Sequence, residues 1–203
     1  MAYILRSVEE RDIRDLQVLS AQFTMINLPN DVKALEKKIE VSQASFAGEV
    51  AEKSEAEYLF VVEDTEIERV VGSSLILAKH GTPENPHFYF KIFKKEQFSN
   101  DLGIGFVHQL LKLEEETDGP TEIGGLLVDG EYRRVPEKIG KQISLIRFLY
   151  MGAFPERFES KLLCELSPPQ MVVGKSEFWE ALGRRFTGLP YQEADRLSHQ
   201  YKE

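Results

Sequence analysis

Residues Thr121 to Phe154 read TEIGGLLVDGEYRRVPEKIGKQISLIRFLYMGAF. The stretch opens with an extended apolar run, Ile123 to Val128, and passes through a charged turn from Asp129 to Lys138. It closes on Ile139, Ile143, Ile146, Leu149 and Tyr150, which recur at three- and four-residue spacing. That spacing predicts an amphipathic helix over roughly Pro136 to Phe154. Strand, polar turn and helix in this order leave the first helical amides without partners inside the helix. Those amides point at whatever anion the turn admits. The plainer reading of the same pattern is an ordinary strand–loop–helix connection.

Upstream, Ala2 to Arg6 suits a first strand, and Ser7 with Glu10 fits a capping box for a helix carrying Ile13, Leu16 and Leu19. Asn27-Leu28-Pro29-Asn30 reads as a break, after which Asp31 is placed to cap a second helix with Val32, Leu35 and Ile39 on one side. Residues 47–57 read as a surface loop. Tyr58 to Glu63 and Arg69 to Lys79 read as a hairpin, and His87 to Phe93 as a third, aromatic strand. Ser99 to Gly105 is loop-like, and Phe106 to Leu113 fits a strand or a short helix. Downstream, Lys161 to Leu166 predicts a short strand stopped by Ser167, Pro168 and Pro169. Ser176 to Arg184 predicts a helix with Gly183 as its stop, and the polar remainder shows no closing element. The order indicates a mixed α/β (α+β) fold around one sheet flanked by helices, with residues 1–203 as a single domain.

The chain has 203 residues, 42% of them hydrophobic, enough for a real core. Its formal net charge of -9 argues against nonspecific nucleic-acid binding, which needs a basic surface. The one cysteine, Cys164, excludes an intramolecular disulfide and fits a reducing cytoplasm. Its apolar surroundings predict a buried, inert thiol. No apolar run reaches the ~20 residues that span a bilayer, so no membrane partner is expected. His80, His87, His108 and His199 lack metal-ligand spacing, so no metal is expected. Phe178 and Trp179 read as core residues of a short helix.

Several stretches, in order, carry a resemblance: LPNDVKALEKKIEVSQASF (Leu28 to Phe46), YLFVVED (Tyr58 to Asp64), VVGSSLILAKHG (Val70 to Gly81) and PHFYFKI (Pro86 to Ile92). They continue with LKLEEETDGPTEIGGLLVDGEYR (Leu111 to Arg133), SLIRFLYMGAFPERF (Ser144 to Phe158) and SEFWEALGRRFTGLPYQEAD (Ser176 to Asp195). Together they resemble the N-terminal part of the arginine N-succinyltransferase family. The resemblance implies a GCN5-related N-acetyltransferase-like fold, succinyl-CoA or another acyl-CoA as cosubstrate, and an arginine-like amine as acceptor. It also implies that the chain lacks the family's C-terminal half. The family's proton-donor histidine belongs to that half, and His199 does not match its motif. The family's turn after Tyr-Arg is short and glycine-rich. Here it is longer, its only glycine is Gly140, and Val135, Pro136 and Ile139 are bulky.

Amine acyl transfer from a thioester needs a deprotonated amine, a polarised carbonyl, a held pantetheine arm and a bound pyrophosphate. The resemblance implies that the backbone of Leu126, Leu127 and Val128 pairs with the arm, Val128 matching the family position assigned to succinyl-CoA. Arg133 and Arg134 are placed to pair with CoA phosphates, with Lys138, Gly140 and Lys141 completing the cradle. Glu122, opening the central strand, is the candidate base, and Glu165, on the next strand, the candidate contact for a guanidinium. Two functions remain open: an N-acyltransferase, or an inactive binding or partner subunit that keeps the fold. The expected partners are an acyl-CoA and a small amine, with self-association or a sister subunit completing the list.

Overall fold

The computed structural model describes residues 2–22, 28, 31–166 and 175–200. It divides into two compact units, Met1–Cys164 and Glu165–Glu203.

The first unit is built on β2 (Glu57–Asp64), of which seven residues are buried. Alternation along a strand sends successive side chains to opposite faces. Leu59 and Val61 accordingly join one core with Leu16 and Leu19 of α1 (Ile13–Ala21) and Leu35 and Ile39 of α2 (Val32–Ala47). Tyr58, Phe60 and Val62 join the opposite core with Ile139 and Ile143 of α3 (Ile139–Ala153). A one-residue slip of β2 would exchange the two sets, so this double burial fixes the register. Around β2 lie β1 (Tyr3–Ser7) on one side and β3 (Arg69–Leu77) on the other, then β6 (Thr121–Val128) and β7 (Leu162–Leu163). The pairs β1–β2, β2–β3 and β3–β6 are antiparallel, and β6–β7 is parallel. This is the mixed sheet flanked by helices that the sequence indicates.

Beside it, among the described residues β4 (His87–Ser99) and β5 (Ile104–Glu116) pair only with each other, as an arm of two 13-residue strands. The aromatic strand is thus longer than expected, and Phe106 to Leu113 is strand, not helix. Phe88, Ile92, Phe98, Val107, Leu111 and Leu113 stay exposed along one face of the arm.

Several local readings need correction. Ser7 ends β1. The capping box is made instead by Glu9 and Asp12, with the Glu9 amide donating to Asp12 Oδ2 at 2.8 Å. Asp12 also takes both terminal nitrogens of Arg6 at 2.7 Å, and Arg6 bonds Glu63 on β2, so charge pairing sets that turn. Helix α3 begins at Ile139 rather than Pro136, because Lys138 adopts a left-handed conformation at φ 54°. The strand expected over Lys161 to Leu166 shrinks to Leu162–Leu163, so Cys164 is exposed rather than buried and Glu165 lies beyond the strand. The breaks read at Asn27, Pro29 and Asn30 and at Ser167, Pro168 and Pro169 lie outside the described residues.

In the second unit, a π-helical turn (Trp179–Gly183) runs into α4 (Arg184–Thr187), and the chain closes with α5 (Tyr191–Gln200) where no element was expected. Gly183 is no stop. A Cβ there would lie 2.3 Å from the Trp179 ring, so glycine is what lets the indole lie against the helix. The stop is Gly188, at φ 72°. Trp179 donates to the Leu189 carbonyl at 2.9 Å and packs edge-on to Tyr191, whereas Phe178 is half exposed.

Asp31 does cap α2, accepting from the Ala34 amide at 2.9 Å. Asp31→Ala should lower stability by about 1 kcal/mol, and Asp31→Asn by much less. Urea unfolding reads both: the midpoint falls while the slope stays constant.

Candidate active site

The site is built where β6 leaves its parallel neighbour. Thr121 and Glu122 pair with Leu162 and Leu163, and among the described residues the ladder between β6 and β7 goes no further. On the other side, the register of β3 against β6 shifts between Ser73 and Leu75. Gly125 sits in this bulge at φ 55°, a conformation that suits glycine. The Ser73 hydroxyl donates to its carbonyl at 3.1 Å.

Beyond the bulge, the Asp129 amide donates to the Val71 carbonyl at 2.9 Å, so Asp129 faces β3. Alternation then turns the Leu127 main chain toward β3 and that of Leu126 and Val128 toward the open edge left by β7. Arg133 Nε takes the Val128 carbonyl at 3.2 Å. The Leu127 side chain is core, Val128 packs partly on the α3-side core, and Leu126 is exposed.

Apart from Arg133, the turn that follows is fastened to its own backbone and to β2. Asp129 Oδ1 accepts the Glu131 amide at 3.0 Å, and the Tyr132 hydroxyl donates to Asp64 at 3.0 Å. Burial, then the Asp64 bond, raises the Tyr132 phenol above its ordinary pKa, so it stays a donor. Val135 packs on the α3-side core and Ile139 is fully buried, so these two bulky residues point inward, while Pro136 is exposed. Gly140 abuts the end of β6, where an added Cβ would meet Val128 at 3.5 Å.

Helix α3 starts without a side-chain cap, and the Lys141 and Gln142 amides return to the Lys138 carbonyl. Among the described residues no main-chain acceptor takes the amides of Ile139 or Gly140. Between Gly130 and Lys141 stand Arg133, Arg134, Lys138 and Lys141 against Glu131 and Glu137, a local positive excess in an acidic chain. The four cations are exposed. The structure therefore brings Leu126, Val128, Gly140 and this cationic turn to one edge.

At the other end of β6, Glu122 is only 2% exposed and meets His80 Nδ1 at 2.7 Å. His80 Nε2 in turn lies 2.7 Å from His87 Nδ1. Nothing in the sequence spacing announces this cluster, because the β3–β4 connection folds His80 back onto β6. Glu165 is exposed and opens the second unit. Among the described residues no group of three or more His, Cys, Asp or Glu is placed to hold a metal, and no helix is long and apolar enough to cross a membrane.

Arg147 is a buried charge beside β6 that the sequence does not announce. It is 4% exposed on the inner face of α3, in step with Ile139 and Ile143. A charged residue at the third position of that four-residue series was the available signal.

A mainly antiparallel sheet whose last strands are parallel and part, ahead of an uncapped helix, is the GCN5-related N-acetyltransferase-like fold. A family profile described as "Arginine N-succinyltransferase beta subunit" matches residues 3–203. The arginine N-succinyltransferase of Photorhabdus laumondii is 33% identical over 197 residues, covering 96% of this chain and 56% of that protein. The arginine N-succinyltransferase subunit alpha of Pseudomonas aeruginosa is also 33% identical, with 96% and 57% covered. The solved structure of arginine/ornithine succinyltransferase subunit AI from Pseudomonas aeruginosa superimposes with a TM-score of 0.85 at 31% identity, covering 97% of this chain and 59% of its own. The chain belongs to the arginine N-succinyltransferase family. It spans somewhat over half the length of these curated relatives.

Gly125→Ala should strain the bulge, since its Cβ would sit 3.0 Å from Leu75 Cβ at a left-handed φ. A loss of about 1–2 kcal/mol is expected in denaturant unfolding. No change in midpoint would mean that the bulge relaxes freely.

Proposed function

We propose that the chain is an acyl-CoA-dependent N-acyltransferase, transferring a succinyl group from succinyl-CoA to the amine of arginine or a close analogue. One observation carries this reading. Among the described residues, the edge of β6 beyond Glu122 is open and runs to first amides of α3 that no main-chain acceptor takes, beside four exposed cations. Main-chain groups of Leu126 and Val128 suit an extended amide-bearing arm added as a strand. Uncapped helical amides with Arg133, Arg134, Lys138 and Lys141 suit a diphosphate.

In this reading the amine attacks the thioester directly. Glu122 is the proton acceptor, held in place by His80. Glu165 is proposed to meet the guanidinium. The relatives' names supply the succinyl group and arginine, and the free thiol Cys164 suits a reducing cytoplasm. The subunit naming of the Pseudomonas relatives and the exposed apolar face of the arm support self-association. Sedimentation at micromolar concentration should then give a dimer or larger mass, and a monomer would overturn that part.

Calorimetric titration with CoA tests the site. Gly140→Pro removes one amide at a helical position that tolerates proline, so the fold should persist while affinity falls about tenfold. Arg133→Ala should weaken binding similarly. No binding by the wild-type chain at millimolar CoA would sink the enzyme reading and leave a non-catalytic subunit. In a thiol-release assay with arginine, Glu122→Gln should lower kcat at least 100-fold with CoA affinity unchanged.

A further inference from the structure

Arg147 carries a charge that the described structure does not balance. Its Nε donates to the Ser144 carbonyl at 3.1 Å, Nη1 to the Gly124 carbonyl at 3.3 Å, and Nη2 to Ser144 Oγ at 2.9 Å. All three acceptors are neutral. Among the described residues no carboxylate lies within ion-pair distance of this guanidinium, although it is 96% buried. Elsewhere in the first unit a buried arginine is matched: Arg6 pairs with both Asp12 and Glu63. Burial pulls the Arg147 guanidinium below its ordinary pKa, as expected of a cation stripped of water without a counter-ion. A guanidinium has five N–H donors, so three bonds leave one N–H on each terminal nitrogen. Two parallel N–H groups are the fork that grips a carboxylate through both oxygens.

Its place decides which carboxylate. Val128 lies against Gly140, and Gly124 is bonded by Arg147, so α3 runs back along β6 from the open edge toward the bulge. Seven residues of helix separate Gly140 from Arg147, roughly 10 Å along the axis. Gly124, which Arg147 bonds, lies two residues past Glu122, where the pairing with β7 stops. The guanidinium therefore stands where β6 and β7 part. A ligand anchored by its phosphates at the first amides of α3 and laid along Leu126 and Val128 has its acyl end there.

We infer that Arg147 binds the terminal carboxylate of a dicarboxylic acyl group, and so selects such acyl-CoA thioesters over those with a plain alkyl acyl group. This rests on the acyl-CoA reading above and adds to it the residue that reads the acyl chain. Arg147 takes no part in bond making. It is a specificity determinant whose counter-ion arrives with the substrate.

The test is a comparison of dissociation constants for CoA, acetyl-CoA and succinyl-CoA, using the full chain. The wild-type protein should bind succinyl-CoA at least tenfold more tightly than acetyl-CoA. Arg147→Gln should abolish that difference and leave CoA and acetyl-CoA affinity within about twofold. Arg147→Lys, which keeps the charge without the fork, should keep only part of the preference. Equal wild-type affinity for the two thioesters overturns the inference, and that result needs no variant to fold. Equal weakening of all three ligands in Arg147→Gln also overturns it, since the arginine would then be structural. Failure of the wild-type chain to bind any of the three removes the acyl-CoA reading itself. Binding of CoA without preference removes only the role of Arg147.

Discussion

Every N–H and C=O of a buried strand must find a partner, and β6 is where that requirement shapes the molecule. On its β3 side the ladder is kept, at the cost of one bulge. On its other side β7 supplies partners for two residues and then ends. Two of the carbonyls left over are taken up by side chains. Arg133 caps the Val128 carbonyl, and Arg147 caps that of Gly124. Both caps are cations bonded to neutral oxygens. A strand completed in this way keeps the sheet from closing and concentrates positive charge along the gap. The same shortage of partners produces both the opening and its electrostatic character.

The turn after β6 shows how such an opening stays clear with bulky residues beside it. A glycine-rich turn leaves room by having no side chains. Here room is left by fastening side chains elsewhere: Tyr132 to Asp64 and Tyr3, Val135 and Ile139 into the core, and Asp129 to Arg69 at 3.4 Å. The Arg69 guanidinium also lies 5.7 Å over the Tyr132 ring, tying the two fastenings together. A helix start that lacks a cap then remains available, since no side chain of the turn folds back onto it.

The main elements were legible because their signals are local. The α3 series at three- and four-residue spacing, the Asp31 cap and the unbroken apolar run of β2 each declare themselves within a dozen residues. What escaped depends on contacts distant in sequence. Ser7 looked like a cap until Arg6 and Asp12 claimed each other. Gly183 looked like a stop until the Trp179 ring was seen against it. The isolation of the arm could not be read, because the β4 residues have the composition of any sheet strand and only the absence of a third strand exposes them. Leu126, Leu127 and Val128 were singled out by the family resemblance and the turn by its charge, but that Leu127 turns to β3 while its neighbours face away depends on the bulge at Gly125. Arg147 was missed because it interrupts an apolar series, which reads as noise until its burial is known.

The polar cluster at the foot of the arm joins the two exposed features of the first unit. His80 follows β3 and His87 opens β4, so the imidazole pair spans the connection that carries the arm. Main-chain bonds reinforce the stem, from the His80 amide to the Pro120 carbonyl at 2.8 Å and from the Gly119 amide to the Gly81 carbonyl at 3.4 Å. Glu122 lies on the same stem and is also the β6 residue at which pairing with β7 ends. A two-stranded ribbon of this length is marginally stable by itself, so these stem contacts help to hold it. Any change in that hold reaches His80 first and Glu122 next, over two hydrogen bonds of 2.7 Å. The closed end of the opening is therefore continuous with the stem of the arm. The arm and the carboxylate of Glu122 thus share one short stem.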